Sequence, residues 1–195
     1  ARGEQTGKSD IDVLVISNKI RREIESGKYH ISIVPLEAIK KALEKYPLNI
    51  SPRLIEAKTI INPKLLEELK SIKVSKDKFN EFIESTKRII KINKECIELD
   101  KLDGDKLLSV EILYSLILRL RGIFLVKSTL NNQKYSSKEF KKWLTNTISE
   151  LEYSKVYGFY TDVKNNKKSK IDIKISVAER LLNLIKEEIK KLEAK

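Results

Sequence analysis

Apolar positions fall into two regimes along the chain. Up to about residue 72 they come in short runs bounded by glycine, proline and asparagine. Val13 to Ile16 is a continuous apolar run behind a polar, glycine-bearing opening, and it predicts a buried strand ending near Ser17. Ile20 and Ile24 stand four apart among Arg21, Arg22, Glu23 and Glu25, a spacing that predicts a short amphipathic helix over 18–26 with Gly27 as its stop. A second strand is expected over Lys28 to Val34, ended by Pro35. Leu36, Ile39, Ala42 and Leu43 repeat at helical spacing as far as Tyr46, where Pro47 ends the helix. Ser51 and Pro52 can open another helical turn, leading to a brief strand at 58–61. Asn62 then reads as an N-cap with Pro63 in the first turn and Leu65, Leu66 and Leu69 behind it. Strand and helix alternate, the pattern of an α/β layer.

From the polar, lysine-bearing junction at 72–77 onward the pattern changes to long helical periods. The expected domains are therefore 1–73 and 77–195. Asp77 can cap a helix reaching Leu102, with Phe79, Phe82, Ile83, Ile89, Ile90, Ile97 and Leu99 as its stripe. After a turn at Asp103, Gly104 and Asp105 comes the most apolar segment, 105–130. It approaches the length of a membrane span, but Glu111, Arg119 and Arg121 interrupt it, and charges there are costly in lipid. A central bundle helix is the better reading, with no membrane partner. A loop at 131–135 precedes a helix capped by Ser136 or Ser137, which carries Phe140, Trp143, Leu144 and Ile148 and continues through Leu151 to about Val163. Lys164 to Lys170 is a basic turn, and Ile175 to Leu192 is a last amphipathic helix. Four long helices with short links predict an up-and-down bundle.

Composition narrows the class. A chain of 195 residues with 35% charged and 41% hydrophobic side chains is globular and large enough for a real core. Lysine outnumbers arginine, isoleucine is abundant and glutamine scarce, a make-up that resembles heat-adapted proteins. The net charge of +12 favours polyanionic partners, although the excess is spread along the chain. Cys96 is the only cysteine, which excludes an internal disulfide framework and fits a reducing, cytoplasmic setting.

The chemistry concentrates at the front. Ser9, Asp10, Ile11 and Asp12 run straight into the first strand. On a strand, Asp10 and Asp12 project from one side about 7 Å apart. Two like charges so placed repel unless a cation lies between them, and carboxylate oxygens suit a hard divalent ion such as Mg2+ or Mn2+.

Arg2, Gly3, Ser9, Asp10, Asp12 and the strand through Ile16 resemble the second half of the signature of the DNA polymerase beta-type nucleotidyltransferases, roughly G-S-x-x-x-G, then S-D-I-D and an apolar run. The likeness is to the small prokaryotic branch, the minimal and kanamycin-type enzymes. It implies that Asp10 and Asp12 hold the metal, that an NTP, with ATP the first choice, is the nucleotide, and that Arg2, Lys8 and Ser9 contact it. The family's Gly-Ser pair and its first strand would lie before Ala1, so an N-terminally truncated lobe is expected. An exposed sheet edge and an apolar bundle then predict a homodimer.

The family also places a third carboxylate on the following antiparallel strand, where it can act as base. Here the aligned position is Ser32, with His30 on the same face, and neither is a carboxylate. A neutral His30 can accept a proton. A lobe followed by a helical part resembles the kanamycin-type layout, in which the helices bind the acceptor. The bundle lacks a histidine, which sets it apart from the helical nucleases that often accompany small nucleotidyltransferases.

The expectation is thus an α+β protein: a small mixed-sheet nucleotidyltransferase lobe without its first strand, then an all-α four-helix bundle. It would transfer a nucleoside monophosphate to an unknown acceptor hydroxyl on a protein, an RNA or a small molecule. The other reading is a catalytically inactive relative that binds nucleotide or a partner. Three further features stand beside these. Tyr153, Tyr157 and Tyr160 beside Phe159 could stack a base or simply pack the bundle. The 164–170 lysines could touch phosphates or be solvated. Arg119 and Arg121 need carboxylates, solvent or an anion.

Overall fold

The computed structural model describes residues 10–169 and 172–194. The chain is α+β and divides into two compact units. The first comprises the residues up to Phe79 together with Ser128–Tyr135, and the second comprises Asn80–Lys127 and Ser136 onward.

The first unit opens with three strands, β1 (Ile11–Ser17), β2 (Arg22–Ser26) and β3 (Tyr29–Pro35), in the order β1-β3-β2. The helix expected over 18–26 is therefore a strand. Arg22, Glu23, Ile24, Glu25 and Ser26 also satisfy a period of two, and the two residues Gly27 and Lys28 close a hairpin in which Ser26 faces Tyr29. Gly27 has φ +57°, a value at the position that a type II′ turn reserves for glycine. The glycine that reads as a helix stop is a hairpin turn.

β3 is antiparallel to β2 but parallel to β1, with Asp12 opposite His30 and Leu14 opposite Ser32. The strand expected to run antiparallel to the first one runs with it instead, because β2 intervenes in the chain. Nor is β1 a buried strand, since Ile11, Leu14 and Val15 are 36–40% exposed.

Three helices follow, α1 (Leu36–Lys45), α2 (Pro47–Glu56) and α3 (Pro63–Ser71). Asn62 accepts from Leu65 N at 3.2 Å as the cap of α3, with Pro63 in its first turn. The strand expected at 58–61 is absent; Ile60 and Ile61 lie in an irregular link and are exposed. Ile39, Leu43, Leu54 and Leu69 make the core of this unit, and Ile16 and Val34 pack against it. The C-terminal ends of β1 and β3 thus meet the helices. The order of elements is sheet, then helices, rather than an alternating layer.

The second unit is helical: α4 (Asn80–Asp100), α5 (Glu111–Leu130) as far as Lys127, α6 (Ser137–Thr145), α7 (Glu150–Lys164) and α8 (Ile175–Ala194). Among the described residues five α-helices replace the expected four, because the helix expected from 137 to 163 is broken in two. Ser149 accepts from Glu152 N at 3.2 Å while the Glu152 carboxylate accepts from Ser149 N at 2.7 Å, a capping box that starts α7 afresh. Arg180 on α8 reaches the same corner, donating to Thr147 O at 3.0 Å and pairing with Glu152. Replacing Ser149 by alanine should cost about 1 kcal/mol, seen as a lower denaturation midpoint by far-UV circular dichroism.

α5 begins at Glu111 and not at 105. Residues 105–110 instead pair with the chain before α8, through Leu107 N to Ile173 O at 3.0 Å and Ile175 N to Asp105 O at 2.9 Å. Leu113, Leu116, Ile117, Leu120, Ile123 and Val126 are fully buried, so α5 occupies the core of its unit. Among the described residues no helix is long and apolar enough to cross a membrane.

Candidate active site on the sheet

Strand alternation decides what the sheet presents. Asp12, Leu14 and Ile16 share one face of β1, with His30, Ser32 and Val34 on β3 and Glu23 and Glu25 on β2. Towards the helices that face supplies Ile16 and Val34 to the core. Farther along the strands it turns polar. Asp12 Oδ1 lies 3.4 Å from His30 Nδ1, and His30 Nε2 lies 3.4 Å from Glu23 Oε2. Ser32 donates its hydroxyl hydrogen to the same Glu23 oxygen at 2.7 Å. One imidazole is held between two carboxylates, one from each flanking strand.

The group is open to solvent: the side chains of Asp12, Glu23 and His30 are 88%, 62% and 43% exposed. A neutral imidazole has one N–H to offer and here faces an acceptor on each nitrogen. Asp10 precedes β1, is exposed, and has no side-chain partner among the described residues. Arg2, Lys8 and Ser9 lie outside the described residues.

The structure thus brings Asp12 and His30 together and adds Glu23, which the sequence reading missed. Glu23 falls in the stretch whose spacing predicts a helix; the signal that places it beside His30 is the two-residue loop Gly27-Lys28, which fixes the register of the β2–β3 hairpin. Ser32, where the resemblance would put a carboxylate, serves as a donor to Glu23. As for a metal, two exposed carboxylates at 10 and 12 have the right donor chemistry for a hard cation. Among the described residues no group of three or more His, Cys, Asp or Glu side chains is placed to hold a metal ion together.

In the helical unit, Tyr153 and Tyr160 are buried and Tyr157 is half-buried. Tyr157 stacks with Tyr153 at 5.2 Å and tilts against Tyr160 at 5.6 Å, and Tyr160 stacks on Tyr114 at 5.2 Å. These rings, with Phe159, are bundle packing. Arg121 donates to the Tyr160 hydroxyl and lies over that ring. The basic turn begins as the end of α7 and continues into Asn165 and Asn166, followed by exposed Lys167 and Lys168.

Comparison with protein-family models, curated proteins and solved structures gave no significant match.

Proposed function

We propose that the first unit is a nucleotidyltransferase-type lobe that moves a nucleoside monophosphate from an NTP to an acceptor hydroxyl. The observation that carries this reading is the Asp12–His30–Glu23 group, beginning at the Ser9-Asp10-Ile11-Asp12 stretch and lying on one sheet face. A divalent cation held by Asp10 and Asp12 would supply charge compensation to a triphosphate. His30 takes the proton of the attacking hydroxyl as its oxygen bonds to the α-phosphorus and pyrophosphate leaves. Glu23 orients the ring from the other side, and Ser32 fixes the Glu23 carboxylate. Arg2 and Lys8 are assigned to the phosphates.

A second reading is favoured by one specific observation: Ser32 stands at the position of the third carboxylate and is engaged in holding Glu23. On that reading the lobe binds nucleotide without transferring it. Titration of ATP and Mg2+ into the full chain, followed by a label-transfer assay with α-labelled ATP, separates the two. Metal-dependent binding should weaken at least about tenfold in an Asp10→Ala, Asp12→Ala variant, while His30→Gln should keep binding and lose transfer. Binding without transfer establishes the second reading. No metal-dependent binding refutes both.

A further inference from the structure

A guanidinium sits in the second unit without a carboxylate. Arg119 lies midway along α5, between fully buried Leu116 and Ile117 on one side and Leu120 and Ile123 on the other. It is half-buried. Its Nη1 donates to Ser85 Oγ on α4 at 2.9 Å, and its carbon centre lies 5.9 Å from the Phe82 ring. The Ser85 hydroxyl in turn donates to Phe82 O at 3.0 Å. No acid pairs with Arg119 among the described residues. Gly122, one turn farther along α5, lets the Phe82 ring approach so closely that a Cβ there would stand 2.6 Å from it. Phe82 is thereby set as a floor under the guanidinium.

The second charge nearby has the same sign. Arg88 follows Ser85 by three residues on α4, which places it one turn along the same face. Burial, and then the Arg88 charge, pull the Arg119 guanidinium below its ordinary range. The carboxylate on which Arg88 does act, Glu84, is engaged by Lys87 at 2.8 Å, and Lys87 also pairs with Glu193. Removing a guanidinium from water beside another one costs free energy that the Ser85 oxygen and the Phe82 ring offset only in part. An oxyanion would offset it. Arg119 still has donors to spare beyond its bond to Ser85, and the planar fork suits the paired oxygens of a phosphate.

We propose that Arg119 and Arg88 form a phosphate-binding site between α4 and α5, with Ser85 holding the Arg119 guanidinium in place. Its ligand is a phosphate group, either free or carried on a nucleic-acid strand. The site is distinct from the sheet group and does not depend on the function assigned to that group.

The test is calorimetric titration of the full chain in EDTA, so that any metal-dependent nucleotide binding is silent. The probes are inorganic phosphate, a short 5′-phosphorylated RNA and the same RNA with a 5′-hydroxyl. Arg119→Gln is expected to weaken binding about tenfold or more, and Arg119→Lys less, since an ammonium lacks the fork. Arg88→Gln should weaken it severalfold. Arg88 is exposed, so this variant decides the matter if Arg119→Gln fails to fold. Binding of free phosphate identifies a free ion as ligand; a preference for the 5′-phosphorylated RNA identifies a strand end; equal binding of both RNAs, lost in the variants, identifies backbone phosphates. The proposal is overturned if no probe binds below ~10 mM, or if the Arg88 and Arg119 variants bind like the original chain.

Discussion

Replacing Phe140 with alanine is expected to destabilise the helical unit by about 4 kcal/mol. Phe140 has no solvent exposure and sits where α5, α6 and α7 meet. Its ring lies edge-on to Phe124 at 5.5 Å and tilts against Trp143 at 5.9 Å and Tyr157 at 6.2 Å. Truncation removes those contacts and leaves a cavity that stiff aromatic neighbours are poorly shaped to fill. Trp143 is the only tryptophan in the chain, and it touches Phe124 and Phe140 and lies under Lys127. Its fluorescence therefore reports this unit alone, and guanidinium titrations of Phe140→Ala and Phe140→Leu will show the midpoints. A leucine variant as unstable as the alanine one would mean that volume does not set the cost.

Asp100→Ala should cost about 3 kcal/mol, for a different reason. Asp100 is 5% exposed, and its carboxylate accepts from Leu108 N at 2.8 Å, Ser109 N at 2.7 Å and the Ser109 hydroxyl at 2.8 Å. Alanine leaves two backbone N–H groups just ahead of α5 without an acceptor. Burial acts to raise this carboxyl, but the hydrogen bonds from Ser109 and Leu108 outweigh it and hold it below its ordinary value. The sign of the pH effect follows. The charge-linked stability is fully present above the ordinary carboxylate range, about pH 4, and is lost as pH falls through the lower folded value. Thermal melts of the original chain and the variant should differ most near neutrality and converge in acid. A gap independent of pH would show that the carboxylate's charge contributes nothing.

How much of this was legible in the sequence depends on the range over which each signal acts. The Asn62 cap, the Pro63 first turn and the Ser136 cap are local chemistry, and each stands where its residues indicate. That α5 is the central helix of its unit is read from its nearly unbroken apolar run; which residues of that run face the core, such as Leu116 and not Leu118, is set by packing. At 18–26 two local patterns competed, a helical pair at Ile20 and Ile24 against alternation around Ile24. What decides between them is β3, because Arg22 to Ser26 gain their hydrogen bonds only by pairing with Tyr29 to Ile33. Glu23 belongs to the candidate site only through that strand pairing. Ser149 and Glu152 spell a capping box that the apolar continuity from Phe140 through Leu151 conceals. The meeting of Arg119 with Ser85 lies beyond any local pattern, since it joins helices whose register is set by Phe82 against Gly122.

The first unit is not continuous in sequence, for its share of the chain resumes at Ser128–Tyr135 after an excursion through α4 and most of α5. During synthesis on the ribosome, the sheet and α1 to α3 emerge long before that last piece does. The lobe proposed to carry the chemistry can be completed only after half of the helical unit has been made. No single cut in the polypeptide can free either unit whole.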